Sequence, residues 1–290
     1  MLEFDKFIAD EIAKYKDNYF PIKATLLERA LVRKVNYKKL HPNPDDEFCM
    51  PSVGPSYRII NEYVQLMTEE KYDRTHSLDG KSITVEKMYP DGYMILNGHH
   101  RWAAYMRLGV KRVPINIVNL TKSKDILKML NNSKYDKRVT INLDELGFGN
   151  TNSGSYEKSL PFPFSRHYKE QLRKGLPAIC NQLSTYGYDI WVYTMNLYSK
   201  DYVRRLLKLY HIDTNFIVTG YTKFDTTDPR EKKQLEELFV KKYDITIHIY
   251  GEQLLFVKRS ENKSLGYPLK EDNWAGDILN ILGDLHKNEE

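Results

Sequence analysis

The sequence has few of the features that mark membrane, secreted and zinc-binding proteins. No apolar run approaches the roughly 18 residues needed to cross a bilayer, and residues 1–19 alternate charged with apolar side chains instead of forming the core of a signal peptide. The two cysteines, Cys49 and Cys180, lie far apart and match no zinc-ligand or CxxC spacing. These absences predict a cytoplasmic protein with no membrane partner and no metal site of its own.

Blocks of one charge sign are also scarce. Lysine and arginine number 44 against 39 acidic residues, which leaves a net charge of +5. This surplus permits a nucleotide or phosphate ligand, but without basic blocks it disfavours nucleic acid as a partner, although it does not exclude one. The 290 residues, 41% of them hydrophobic, predict a packed protein of two ordinary domains.

The most informative stretch joins an apolar strand to a helix. Residues 93–96 form the strand pattern, Asn97 and Gly98 follow it, and apolar residues then recur at helical spacing through Trp102, Tyr105 and Met106. The first helical turn therefore carries His99, His100 and Arg101 beside free backbone N–H groups. Such a terminus attracts anions, and a guanidinium is well suited to phosphate.

A second helix start lies upstream. Ser52, Gly54 and Ser56 form a loop that leads into another amphipathic helix, with Ser56 as the expected N-cap. Hydroxyl and backbone N–H groups at such a start can bind phosphate oxygens. An acidic loop, Asp45–Glu47, lies just before it.

The second half alternates strands and helices from Val139 onward, with a helix expected over residues 168–183 that is irregular at residues 175–177, Gly-Leu-Pro. Alternation of this kind implies a parallel sheet with helices on both faces. The α/β chain is therefore predicted to contain a first domain over residues 1–121, a polar linker over residues 122–138 and a second domain over residues 139–290.

The Gly98–Arg101 sequence Gly-His-His-Arg, followed by an alanine-rich helix and a strand containing proline, resembles the ParB/sulfiredoxin superfamily. The upstream segment 40–44, Leu-His-Pro-Asn-Pro, extends the resemblance to about residues 30–120. It implies a small mixed α/β domain that binds a nucleotide. Within the superfamily the pattern is most similar to that of free-serine kinases, which read Asp-Gly-His-His-Arg, so Asn97 stands here in place of an aspartate.

Two departures separate this chain from other branches of that superfamily. His99 stands where sulfiredoxins have a catalytic cysteine, and no helix-turn-helix follows as it does in ParB proteins.

The second half resembles a haloacid dehalogenase (HAD)-like domain, which implies a three-layer Rossmann-like fold. Asn142 and Asp144 follow a strand where that family has Asp-x-Asp, and Thr194 ends the next strand where its second motif has Thr or Ser. The segment 250–252, Tyr-Gly-Glu, replaces the paired aspartates of its fourth motif. Because an amide cannot attack phosphorus as a carboxylate does, the resemblance implies a degenerate, catalytically silent site.

Three functions remain open. The first is a phosphotransferase that uses ATP or another nucleoside triphosphate, with Mg²⁺ carried by the nucleotide, on a small hydroxyl-bearing acceptor. Ser52, Gly54, Ser56 and Gly98–Arg101 would hold the phosphates, and His100 would take a catalytic role. Glu47 would act as base, with Asp45 and Asp46 as competing assignments. The second is a ParB-type nucleotide sensor or DNA-associated regulator without turnover. The third is a HAD-type phosphatase. Whether the protein is a monomer or a homodimer is a separate open question.

Overall fold

The computed structural model describes residues 2–15, 20–69, 82–146, 156–220 and 229–287. The chain divides into two compact units, residues 1–119 and residues 120–290. Within the described ranges, none of the helices is both long enough and apolar enough to span a membrane.

Unit 1 is built on a mixed sheet. Its strands are β1 (Phe20–Pro21), β2 (Lys34–Asn36), β3 (Leu40–His41), β4 (Ile83–Tyr89), β5 (Tyr93–Asn97) and β6 (Arg112–Ile117). The order is β2-β6-β4-β5-β3, with β1 also paired to β4. The β4–β5 hairpin is antiparallel, whereas β6 runs parallel to β4 and β3 runs parallel to β5. The hairpin turn requires Gly92, at φ +86°, because an added Cβ would lie 2.5 Å from the Lys39 carbonyl oxygen.

In the described residues of unit 1 the helices are α1 (Leu2–Tyr15), α2 (Leu26–Leu31), α3 (Tyr57–Thr68) and α4 (His99–Arg107). Helices α3 and α4 pack against each other, and α4 also contacts β4. These helices pack together because each buries its apolar face in the same core, Ile60 from α3 and Trp102 from α4.

Unit 2 has a six-stranded sheet. Its strands are β7 (Lys137–Asn142), β8 (Tyr188–Thr194), β9 (Phe216–Thr219), β10 (Ile245–Ile249), β11 (Gln253–Lys258) and β12 (Lys263–Pro268). The order is β12-β11-β10-β7-β8-β9. Strands β10, β7, β8 and β9 are parallel, as the alternating pattern predicts, and β11 and β12 extend the sheet in antiparallel fashion.

Helices cover both faces of this sheet. They are α5 (Ser123–Asn132), α6 (Leu143–Leu146), α7 (Leu176–Thr185), α8 (Lys200–Leu209), α9 (Pro229–Lys242) and α10 (Trp274–Lys287). Helices α7, α8 and α10 share one core with Ile190 and Val192 of β8, while α5 and α9 pack with Trp191 on the opposite face. Side chains alternate along a strand, so unit 2 is a three-layer α/β/α arrangement.

Two sequence predictions need correction. The segment predicted as a linker, residues 122–138, contains helix α5 and the first residues of β7. The polar composition of this segment masked an apolar helical face, which is formed by the buried Ile126, Met129 and Leu130. The helix expected over residues 168–183 begins only at Leu176, because Gly175 at φ +88° interrupts the chain before it.

Candidate functional site

The two helix starts singled out in the sequence meet in unit 1. His100, in the first turn of α4, accepts a hydrogen bond at Nε2 from the backbone N–H of Ser56, 3.1 Å away. Ser56 is the N-cap of α3, where its hydroxyl oxygen accepts from the Ile59 N–H at 3.5 Å. One imidazole therefore ties the beginning of α3 to the beginning of α4. Gly98 makes this turn available, because it caps α4 in the left-handed region at φ +104°.

His99 fastens the acidic loop to the same helix start. Its ring is 4% exposed, and its Nε2 accepts from the Asn43 N–H at 3.1 Å. Its Nδ1 lies 3.5 Å from the Asp46 carboxylate. Since both ring nitrogens face protein groups, His99 holds the loop in place rather than facing a ligand.

Phe48 lies between the two imidazoles. It stacks on His99 with ring centroids 5.4 Å apart, and meets His100 edge-on at 5.1 Å. It also contacts Trp102 of the core, and it is only 1% exposed. Phe48 and Asn43 were not predicted as site residues; the available signals were an aromatic residue after an acidic run and the position of Asn43 within the segment 40–44.

Arg101 folds back over the turn that begins α4. Its Nη1 donates to the Ser82 carbonyl at 3.1 Å and its Nη2 donates to Asn97 Oδ1 at 3.2 Å. Its guanidinium carbon lies 5.9 Å from the ring centroid of Tyr63 on α3. The guanidinium is thereby positioned beside both helices.

The remaining predicted ligands lie along the loop that enters α3. Ser52 and Glu47 are exposed, and Gly54, at φ +68°, donates its N–H to the Met50 carbonyl at 2.8 Å. Asp46 instead caps the short 3₁₀ turn of residues 47–49 by accepting from the Phe48 N–H at 3.2 Å. Among the three loop carboxylates, Asp46 is thus engaged within the loop, while Glu47 reaches solvent.

Burial sets the protonation state of His100. The ring is half-buried, and desolvation lowers its pKa below the usual 6.5, opposed by the nearby Asp46 carboxylate. A neutral imidazole that accepts at Nε2 must carry its proton on Nδ1. His100 therefore accepts a hydrogen bond at Nε2 and carries an N–H donor at Nδ1.

The loop carboxylates do not combine with histidines into a metal site. In the described ranges, no group of three or more His, Cys, Asp or Glu side chains is placed to hold a metal ion. Mg²⁺ prefers several oxygen ligands and keeps most of its waters.

In unit 2, the structure brings Asp144 and Thr194 together at the carboxyl ends of β7 and β8. One Asp144 carboxylate oxygen accepts from Thr194 Oγ1 and from Asn196 Nδ2, both at 2.6 Å, and the other accepts from the Met195 N–H. Asn142 turns its oxygen to the Asp144 N–H at 3.1 Å. Three donors already occupy the Asp144 carboxylate, so its hydrogen bonds join two strand ends.

Unit 2 also contains a cleft of about 1130 Å³, which no sequence pattern predicted. Arg173 lines it, donating from Nη1 to the Gly251 carbonyl at 3.2 Å while its guanidinium covers the Trp274 ring at 4.5 Å. Desolvation lowers the Arg173 pKa, opposed by Glu271, Tyr156 and Glu145. The residues that line this cleft come from distant segments of the chain, so no local sequence motif could predict it.

Residues 55–133, just over a quarter of the chain, match the family described as the ParB N-terminal domain. The matched segment includes α3, the β4–β5 hairpin and α4, and so contains both helix starts. No curated protein sequence matches this chain.

Two solved structures of free serine kinase in complex with AMP show low similarity to this chain. A mutant form is 15% identical, covering 79% of this chain and 93% of that chain, with a TM-score of 0.23. The other is 13% identical, covering 83% and 92%, with a TM-score of 0.22. Backbones that differ this much do not pair individual residues, so no site residue is carried across from them.

Proposed function

We propose that this protein binds a nucleotide, ATP or ADP, at the joined starts of α3 and α4 and transfers a phosphoryl group to a small hydroxyl-bearing metabolite. The observation that carries the proposal is the 3.1 Å hydrogen bond from the Ser56 N–H to His100 Nε2. It holds two helix N-termini side by side, and each helix adds its dipole and its unpaired N–H groups to one location.

The side chains at this location suit a polyphosphate. Arg101 supplies a permanent positive charge with planar donors, which is the geometry that phosphate oxygens accept. His100 supplies an N–H from Nδ1, and the hydroxyls of Ser52 and Ser56 can each donate a proton. Mg²⁺ bound with the nucleotide would neutralise part of the phosphate charge.

Glu47 is the residue we assign as base. It is exposed in the loop that His99 fastens, whereas Asp46 caps a turn; Asp45 is exposed as well and remains the competing assignment. A solvent-facing carboxylate beside the helix starts can accept the proton of an acceptor hydroxyl as it attacks phosphorus. His100, whose Nε2 already accepts a hydrogen bond, orients the loop and donates to phosphate.

A nucleotide sensor without turnover is the second candidate, because both histidines use Nε2 to hold backbone groups. Asn97 also stands where the resemblance has an aspartate, and it serves as a neutral acceptor for Arg101. In this alternative the site closes on a nucleotide and changes shape without any chemical step. A HAD-type phosphatase ranks below both, since Asp144 is engaged by three donors.

Thermal unfolding with ATP, ADP, CTP and GTP, each with and without Mg²⁺, tests the proposal. A ligand that binds only the folded protein stabilises it by about 2.7 kcal/mol at a hundredfold excess over its Kd. We expect ATP or ADP to raise the Tm, Arg101→Met to remove the rise, and Arg107→Met to keep it. Arg107 is the matched control because it lies on the same helix but bonds to Asn61 at 2.6 Å.

The chemical step is tested separately with Glu47→Gln. We expect this variant to keep the nucleotide-induced rise in Tm and to lose ADP production in the presence of free amino acids and other small hydroxyl compounds. Nucleotide binding without ADP production in the unmodified protein would favour the sensor. No thermal response to any of the four nucleotides would exclude both functions.

A further inference from the structure

Unit 1 carries a group of large apolar side chains that are exposed among the described residues. Leu27 and Leu31, on α2, are 68% and 72% exposed, and Phe20 and Tyr89, on β1 and β4, are 57% and 59% exposed. Leu26 and Ile22 are also exposed. We call these six residues the α2 surface.

Strand pairing places the strand members of the α2 surface side by side. Phe20 lies opposite Tyr89 in the antiparallel β1–β4 pair, so both point to the same face of the sheet. The Ile22 N–H continues the pairing by donating to the Lys87 carbonyl at 2.9 Å. On that same face, the Lys87 ammonium donates to the Glu28 carboxylate of α2. Helix and strands are thereby held next to one another.

Helix α2 is anchored at its start and not by burial. Thr25 and Glu28 form a reciprocal capping box, with the Thr25 N–H 2.8 Å from Glu28 Oε2 and the Glu28 N–H 3.2 Å from Thr25 Oγ1. None of its six residues is buried. The three leucines of this helix stabilise the isolated chain only through the part of each side chain that has left water, and Leu27 and Leu31 are mostly exposed.

The size of the α2 surface is informative. With roughly 200 Å² for each fully exposed large side chain, the six residues expose on the order of 700 Å². Typical monomers carry largest apolar patches of about 300–600 Å², and each partner in a standard interface contributes about 800 Å². The patch therefore supplies most of one side of a stable interface.

We propose that the α2 surface is covered by the α2 surface of a second copy of this chain, making a two-fold symmetric homodimer. A two-fold interface uses the same patch on both partners, so the patch must not repel itself. Lys87 and Glu28, which join its strands to its helix, meet this requirement because they pair with each other inside one copy. The surface facing the partner is then mainly apolar, and Lys87 and Glu28 add no net charge to it.

Sedimentation velocity of the full-length protein across a concentration series tests the proposal. We expect a species of twice the 34.2 kDa chain mass. The double variant Leu27→Lys/Leu31→Lys places like charges across the two-fold axis, which should weaken the dimer at least about 100-fold. Both positions are exposed within one chain, so the variant keeps its fold, as its circular dichroism and Tm can verify.

The control is Leu238→Lys/Val240→Lys on α9 of unit 2, where both side chains are also exposed. We expect this variant to remain dimeric. A wild-type protein that stays monomeric at about 100 μM, where even a weak specific dimer would form, overturns the proposal and leaves the surface to a different partner. A dimer that survives in the α2 variant, or that is lost equally in the control, also overturns it. Nucleotide binding does not enter this test, so its outcome is independent of the proposed function.

Discussion

The hydrogen bond between Ser56 and His100 can be removed in two ways that separate its effect from the bulk of the imidazole. In His100→Gln, the amide oxygen can take the place of Nε2 and still accept from the Ser56 N–H. In His100→Leu, the side chain keeps an apolar contact with Phe48 but offers no acceptor. The two variants differ chiefly in whether the helix starts of α3 and α4 stay joined.

The expected cost follows from the burial of the partners. Leaving a buried donor without an acceptor costs about 1–3 kcal/mol. Ser56 and His100 are both half-buried, so water replaces part of the lost bond and we expect about 1 kcal/mol for His100→Leu. A loss of that size lowers the Tm of a domain of this length by roughly 4 °C. His100→Gln should fall well short of it.

The pH dependence of stability supplies a second readout. Burial lowers the pKa of His100 below 6.5, so between pH 6.5 and the folded-state pKa the unfolded chain binds more protons than the folded one. The free energy of unfolding therefore falls as pH drops through this window. His41 and His248 also have pKa values lowered by burial and contribute the same sign, so the measurement is the difference between wild type and His100→Gln.

Urea unfolding at pH 7.5 and 5.5, together with the nucleotide-induced change in Tm, gives the assay. We expect His100→Leu to lose both stability and nucleotide response at pH 7.5. His100→Gln should retain stability and show a smaller loss than wild type between the two pH values. Equal stability and equal nucleotide response in the two variants would refute the idea that this bond organises the site.

Further predictions concern the residues around the site and the strand ends of unit 2. Phe48→Ala should lower the free energy of unfolding by about 3–5 kcal/mol, because it removes a side chain that is only 1% exposed, and it should abolish the nucleotide-induced rise in Tm. Phe48→Leu should keep most of the stability, measured by urea unfolding, and most of the rise in Tm, measured by thermal unfolding. Asp144→Asn replaces one acceptor oxygen by a donor and should destabilise unit 2 by about 1–3 kcal/mol, read from the fluorescence of Trp191 and Trp274, while leaving the nucleotide response intact. Release of phosphate from small phosphate esters that disappears in Asp144→Asn would instead support the phosphatase.

The mixed α/β architecture was largely predictable because it depends on local periodicity. The strand at residues 93–96, the helix after Gly98 and the parallel core of unit 2 all have the apolar spacing that burial on one or both faces demands. The segment 122–138 was misinterpreted because α5 has so many polar residues that its apolar stripe is narrow. Strands β11 and β12 show a related limit, since strand direction depends on pairing partners that lie outside any short window.

For the candidate site, the residue types were visible in the sequence but their roles were not. His99 and His100 are neighbours in the chain and differ in environment, one buried and one half-buried, because successive helical residues point in directions about 100° apart. Nothing local could show that Asn43 and Ser56 would donate to them from 56 and 44 residues away.

The sequence by itself determined that a helix begins at Gly98 with two imidazoles and a guanidinium in its first turn, because glycine and apolar spacing act over a few residues. Only the tertiary structure decided that this start meets the start of α3, that Phe48 lies between the imidazoles, and that none of the residues of α2 is buried. The physical reason is the distance along the chain over which each effect acts. Backbone propensity and periodicity are local, whereas hydrogen-bond partners and burial depend on which distant segments come together in the folded chain.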